Sequence, residues 1–307
     1  MKPRIRRYVR HAPRWLLALS WLLVAACATT GTASRVASNA EGALVVVSAN
    51  LRTSSAPDGA NAWPLRKAGA LALLRGLSAD VLGVQEALAD QHDAVAAALP
   101  GYVAVGGGRD DGRRKGEFSS LFLRQSRFKL LDSGQFWLSP TPEVPGSMGW
   151  DAAYPRICTW ARVRDRRNGR ELLVANTHFD HLGVLAREQS AKLIVARLHA
   201  VAAVRNPAAA APPILLLGDF NSDEHSSAYQ ALLDAGLVDA YRAVHPRIAA
   251  DELTFHAFKG LTAGRRIDFI FNSPALRAVD ATIERAPIAP GRFPSDHYFV
   301  AARLQWK

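Results

Sequence analysis

Five polar side chains sit at or just past the C-terminal ends of apolar runs: Asn50, Glu86, His178, Asp219 and Asn221. Asp268 lies inside the run Arg266-Ile-Asp-Phe-Ile-Phe271, and Asp296 and His297 open the last apolar stretch. Strand ends that share one edge of a sheet are rigid points from which side chains reach a ligand. Oxygen donors with histidines suit phosphoryl transfer to water. A hard cation, Mg²⁺ or Mn²⁺, takes oxygen ligands and keeps several waters, so one or two carboxylates hold it, Glu86 foremost. Asp219, with Asn221 two residues on, is placed to hold a water. His297 paired with Asp268 gives an oriented imidazole for proton transfer, and His178 is a candidate for the phosphate oxygens.

Each residue alone has an ordinary reading. A glutamate after a strand caps it in solvent, Gly-Asp-x-Asn forms an Asx turn, and any one of nine histidines is usually structural. The set, in this order, carries the chemical reading.

The elements that must position them are legible as period. Leu44–Asn50, Val81–Glu86 and Ile214–Asp219 are short apolar or β-branched runs and predict buried strands. Residues 63–77, 88–99, 184–204 and 226–235 predict helices, the second stopped by Pro100-Gly101. Further strands are expected at 102–105, 119–124, 128–138, 157–163, 171–178, 266–271, 278–285 and 297–304. Clusters of strands flanked by helix–strand units imply two packed sheets covered by helices.

The ordered motifs Ser48-Ala-Asn50-Leu-Arg52, Val84-Gln-Glu86, Asn176-Thr-His178-Phe-Asp-His181, Gly218-Asp-Phe-Asn221-Ser, Ile267-Asp268-Phe-Ile-Phe271 and Pro294-Ser-Asp296-His297 resemble the endonuclease/exonuclease/phosphatase superfamily over residues 44–305. The resemblance implies a deoxyribonuclease-like four-layer α/β sandwich and phosphoester hydrolysis with Mg²⁺ or Mn²⁺. It implies Glu86 as main metal ligand, Asn50 beside it directly or through water, and Asp296 near the metal. Asp219 and Asn221 would position water and phosphate, His297 held by Asp268 would serve as acid/base or phosphate stabiliser, and His178 would meet the scissile phosphate. Either Asp219 or His297 fits the role of general base.

Other stretches resemble a secreted bacterial branch of that superfamily: Asn61-Ala-Trp63-Pro-Leu-Arg66, Gly108–Gly112 with Lys115–Ser119, Phe136–Ser139, and Gly149-Trp150-Asp151 followed by Pro155-Arg156. Arg156 is either a phosphate contact, because a guanidinium fork matches phosphate oxygens, or a surface ion pair. Residues Arg109 to Lys115 are read as a solvated loop, with a cleft position for Arg109 and Glu117 as the alternative. Trp63 and Trp150 are read as core or as stacking rings.

The net charge of +11 is concentrated at one end. Six basic residues precede Trp15 with no acid; without them, 32 of the 38 basic residues remain against 27 acids. A domain so mildly basic, with Asp110, Asp111, Glu143 and Asp151 interrupting its basic loops, lacks the cationic track of a duplex nuclease. A small molecule, lipid headgroup or phosphorylated glycan is the favoured substrate; an extracellular nuclease and a non-catalytic ligand-binding lipoprotein are the alternatives. The basic stretch leads into an apolar run ending Val24-Ala-Ala-Cys27, which reads as a lipoprotein signal over 1–26 with lipid on Cys27. Residues 27–41 read as a flexible tether and 42–307 as one domain. The expected location is the cell envelope, the periplasmic face of the outer membrane in a diderm host, as a monomer. With Cys27 lipidated, Cys158 is expected to be a buried structural thiol.

Overall fold

The computed structural model describes residues 42–203 and 211–307. The expected signal sequence, Cys27 and the tether lie outside the described residues. Among the described residues no helix is long and apolar enough to cross a membrane.

The first half builds one sheet. Strands β1 (Leu44–Asn50) and β2 (Val81–Ala87) are joined by helix α1 (Trp63–Leu77). Helix α2 (Ala89–Ala98) leads to β3 (Tyr102–Val105) and β4 (Phe118–Arg124). The second sheet takes β5 (Phe128–Trp137), β6 (Ile157–Asp165) and β7 (Glu171–His178), then helix α3 (Val184–Ala203) and β8 (Ile214–Asp219). Helix α4 (Ser227–Asp234), the two-residue β9 (Val238–Asp239), helix α5 (Ala240–Val244) and β10 (Asp268–Asn272) follow. Strands β11 (Leu276–Glu284) and β12 (Phe299–Trp306) return to the first sheet. The orders are β11-β12-β1-β2-β4-β3 and β5-β6-β7-β8-β10-β9.

Each sheet holds one parallel pair, β1 with β2 and β7 with β8. Parallel neighbours need a crossover, which α1 and α3 supply. Strands buried on both faces read as unbroken apolar runs, and every residue of β8 is buried. Between the sheets lies a core including Val46, Val81, Leu121, Val174, Leu217 and Ile270. The outer face of one sheet packs on α1 and α2 through Leu71, Leu74 and Val95. The outer face of the other packs on α3 and α4 through Ile194, Leu198 and Leu232. The result is the four-layer sandwich expected from the sequence.

Two departures from the sequence reading bear on the site. Residues 238–244 form β9 and α5, which the pattern did not reveal. Strand β10 starts at Asp268 and β12 at Phe299, so Asp268 opens its strand and Asp296 and His297 precede theirs. His297 instead makes an isolated bridge with Phe255. Cys158 is fully buried, as expected.

Candidate active site

Register explains why distant residues meet. Asn50 stands opposite Gln85 at the end of the first parallel pair, and His178 opposite Asp219 at the end of the second. Strand β10 runs antiparallel to β8, so its first residue, Asp268, lies opposite Asp219, the last residue of β8. Toward this end the apolar core gives way to amides. Gln85 Nε2 donates to Asn176 Oδ1 at 2.7 Å, and Asn176 Nδ2 donates to the carbonyls of Val84 and Ser120. The sheets approach so closely that a Cβ on Gly83 would sit 2.4 Å from Leu217 Cδ1 and 2.9 Å from Asn176 Cγ, so a side chain there would have to displace both.

Glu86 follows an irregularity in the β2–β4 ladder between Val84 and Ala87, and its φ is +59°. A left-handed glutamate costs of order 1 kcal/mol and persists only where its surroundings enforce it. The bulge takes Glu86 out of the ladder and onto the lining of a cavity. Asn50 Nδ2 donates to Glu86 Oε1 and Asp219 Oδ2, both at 2.9 Å, while its Oδ1 accepts from the Arg52 amide. In this arrangement Asn50 ties the two carboxylates together and its oxygen faces backbone. Donor atoms of Glu86, Asp219 and His297 all lie within 4.8 Å of one another.

His297 Nδ1 is 2.9 Å from Asp268 Oδ2, and its Nε2 is 3.7 Å from Asp219 Oδ2. Burial works against a charged His297, but the Asp268 and Asp219 carboxylates outweigh it and hold the imidazole well above its usual pKa. His178 is the opposite case. Its Nε2 lies 2.9 Å from Asn221 Nδ2; that amide donates, so the imidazole proton belongs on Nδ1. Burial, then the charges of Arg156 and Arg109, keep His178 neutral. Asp219 is raised by burial and by the Asp268 charge. Asp296, 3.7 Å from Arg52 Nε, is raised by burial and, after the lowering effect of His297, by Glu86. Asn221, at φ +46°, donates its backbone N–H to Asp219 Oδ1.

These residues line a cavity of about 450 Å³ with an acidic end at Glu86, Asp219 and Asp296 and a second wall containing Arg109, Glu117 and Arg156. Two crowded carboxylates, Glu86 and the fully buried Asp219, form an oxygen donor set that suits a hard divalent cation. Glu86 and Asp219 would hold such an ion, beside the His297 imidazolium.

A family model described as the Endonuclease/Exonuclease/phosphatase family matches residues 39–297. The chain belongs to this family. The family is one of phosphoester hydrolases whose members generally use divalent metals. An endonuclease/exonuclease/phosphatase from Bacteroides vulgatus is 35% identical, with 86% of this chain and 99% of that one covered and a TM-score of 0.78. A mannosyl-6-phosphatase from Bacteroides thetaiotaomicron is 36% identical over 86% and 100%, also at 0.78. The human Nocturnin catalytic domain, 19% identical over 86% and 95% at 0.68, shares the fold. A search of curated proteins finds no match.

The catalytic, metal and phosphate-binding candidates named from sequence converge on one cavity. Glu86, Arg156, His178, Asp219, Asn221, Asp296 and His297 line it, and Asn50 and Asp268 stand directly behind, bonded to Glu86, Asp219 and His297. Arg156 is a buried cavity residue, not a surface ion pair. The solvated-loop reading is overturned at Arg109, and Arg109 and Glu117 take the cleft position. The loop folds back on itself through Arg109 N to Glu117 O and Asp110 N to Lys115 O. Trp137 Nε1 donates to Arg109 O from β5. Trp63 belongs to the core, whereas Trp150 is exposed and does not line the cavity.

Sequence reasoning gave no role to Arg66, Asp180, His181 or Tyr154. Buried Arg66 donates to the carbonyls of Leu51, Arg52, Asn61 and Pro294, joining the loop after Asn50 to the loop before Asp296. Asp180 accepts from the amides of Ala153, Tyr154, Leu182 and Gly183. The signal for both was present, in Trp63-Pro-Leu-Arg66 and Thr177-His-Phe-Asp-His181.

Proposed function

We propose that this chain is a divalent-metal-dependent phosphoester hydrolase of the cell envelope, using Mg²⁺ or Mn²⁺ and acting on a small phosphorylated substrate. The observation that carries the reading is the approach of Glu86, Asp219 and His297 to within 4.8 Å on the wall of a cavity that also presents Arg156. When bound, the cation supplies Lewis-acid polarisation of a phosphoryl oxygen. The chain does the rest. Asp219, held by the Asn221 amide, positions the attacking water and accepts its proton. Asn221, whose amide donates to His178 Nε2 and to the Phe179 carbonyl, fixes the ring so that the Nδ1–H of neutral His178 is left for a phosphate oxygen, and Arg156 offers its guanidinium. Protonated His297, fixed by Asp268, stabilises the charge that develops on the phosphoryl group. A relative at 36% identity named as a mannosyl-6-phosphatase supports a phosphorylated sugar among the candidates.

The test is hydrolysis of p-nitrophenyl phosphate and its bis-ester by residues 28–307 with Mg²⁺ or Mn²⁺. Turnover should stop in excess chelator and return with metal. Turnover that survives chelation would reject metal dependence. Faster cleavage of plasmid, single-stranded DNA or RNA than of small esters would make the protein a nuclease.

The envelope location rests on the Cys27 motif. Radiolabelled palmitate fed to expressing cells is expected to enter the full-length protein and not Cys27→Ser. Label in the variant would undo the anchor.

A further inference from the structure

We propose that the cavity wall formed by Arg109, Glu117 and Tyr154 is a leaving-group subsite that reads vicinal hydroxyls, so that the preferred substrate is the phosphate ester of a sugar or similar polyol. This rests on the reading of the acidic end as the hydrolytic centre.

Arg109 Nη1 lies 2.6 Å from Glu117 Oε2, with the two side chains only 12% and 18% exposed. Both line the cavity that holds Asp219 and His297. A guanidinium only donates hydrogen bonds and a carboxylate only accepts them. Adjacent hydroxyls do both, so a fixed donor beside a fixed acceptor matches a vicinal diol. Burial pushes Glu117 up to about 6 against the pull of Arg109, which leaves it mostly an acceptor at neutral pH.

The wall is under-satisfied as it stands. Among the described residues, Arg109 Nε has no hydrogen-bond partner, and neither does Nη1 of the adjoining Arg156, which is only 5% exposed. Most buried polar groups are paired, and such exceptions mark places where a further group belongs.

Charge decides between a polyol and a second phosphate. Arg109 is neutralised by Glu117, and Arg156 Nε lies 3.5 Å from Asp180 Oδ2. On the wall itself one guanidinium, Arg109, is matched by one carboxylate, Glu117. A nucleic-acid strand or a second phosphoryl group needs cations left over; this wall has none to spare and suits an uncharged hydroxylated group.

Tyr154 adds a ring, 48% exposed, stacked on His181 with centroids 5.7 Å apart and lying 5.1 Å from the Arg109 guanidinium. An aromatic face beside polar groups gives the apolar C–H face of a pyranose something to pack on. The four amides gathered by Asp180 fix this loop before any ligand arrives.

The experiment compares kcat/KM for a hexose 6-phosphate and for n-hexyl phosphate, with p-nitrophenyl phosphate reporting the chemistry. Wild type should prefer the hexose ester by about 100-fold, because a site built around hydroxyls is left unpaired by the analogue without them. Arg109→Lys keeps the charge but loses the fork, and should cut that preference at least 10-fold. Tyr154→Ala should lower it, and Tyr154→Phe should restore it. Equal rates on hexose and hexyl esters in wild type, or an unchanged ratio in Arg109→Lys, with p-nitrophenyl phosphate still hydrolysed, overturn the subsite and leave the catalytic reading standing. No metal-dependent turnover of any of the three esters overturns both.

Discussion

Glu86→Gln is expected to lower kcat by about 10³-fold or more, and to raise the Mg²⁺ concentration needed for half-maximal activity. The amide keeps the shape of the side chain but removes a charge from the carboxylate pair it forms with Asp219. Loss of about 4 kcal/mol of charge stabilisation in the transition state corresponds to that factor. The same change relieves repulsion in the metal-free protein, since the Glu86 charge helps raise both Asp219 and Asp296. The melting temperature of the metal-free variant should therefore equal or exceed that of wild type. A site selected for function trades stability for charge crowding, and the opposite movement of kcat and Tm separates this from simple misfolding. A variant that keeps full activity, or one that melts well below wild type, would contradict the placement of Glu86.

The legible part of the molecule was the part with local period. Strands β1, β2, β7 and β8 are apolar runs ending in Asn50, Gln85-Glu86, His178 and Asp219. Parallel strands buried on both faces have little choice but to look this way. Their shared polarity then forces the end residues to one edge. The illegible part depends on contacts between distant segments. Arg109 and Glu117 sit among glycines and charges, which locally read as a solvated loop. They are drawn half-buried onto the cavity by contacts from β5, which supplies Gln135 to the Gly107 amide and Trp137 to the Arg109 carbonyl. The two-residue β9 and the five-residue α5 are too short to show a period. They are held by Asp239, which accepts from Tyr241 and Arg242 amides and from the buried Arg266 guanidinium. The role of Arg66 is not local either: its four carbonyl partners come from three separate stretches of chain.

The second large effect is expected at the Asp268–His297 pair. Asp268→Asn and His297→Gln should each lower kcat by about 10²- to 10³-fold, and the double variant should be little worse than either. Groups that act as one unit lose their function once, so their effects fail to add. Geometry supports a unit: the contact is 2.9 Å, both side chains are buried, and Asp268 orients the ring so that Nε2 faces Asp219. The sign of the pH effect follows from the raised pKa of His297. Protonation of His297 stabilises the fold fully below the unfolded histidine value of about 6.5. That contribution is lost as pH climbs through the higher folded value. Asn at 268 removes the carboxylate that favours the imidazolium, so the folded pKa drops and the protonated form disappears at lower pH. The His297 ring-proton resonance of metal-free Asp268→Asn should therefore titrate closer to neutrality than in wild type, and the alkaline limb of kcat/KM should shift the same way. His178, kept neutral by burial and by Arg156 and Arg109, should titrate below the ordinary histidine range in either protein. Additive losses, or a His297 titration unmoved by the substitution, would show that Asp268 neither orients nor charges the ring.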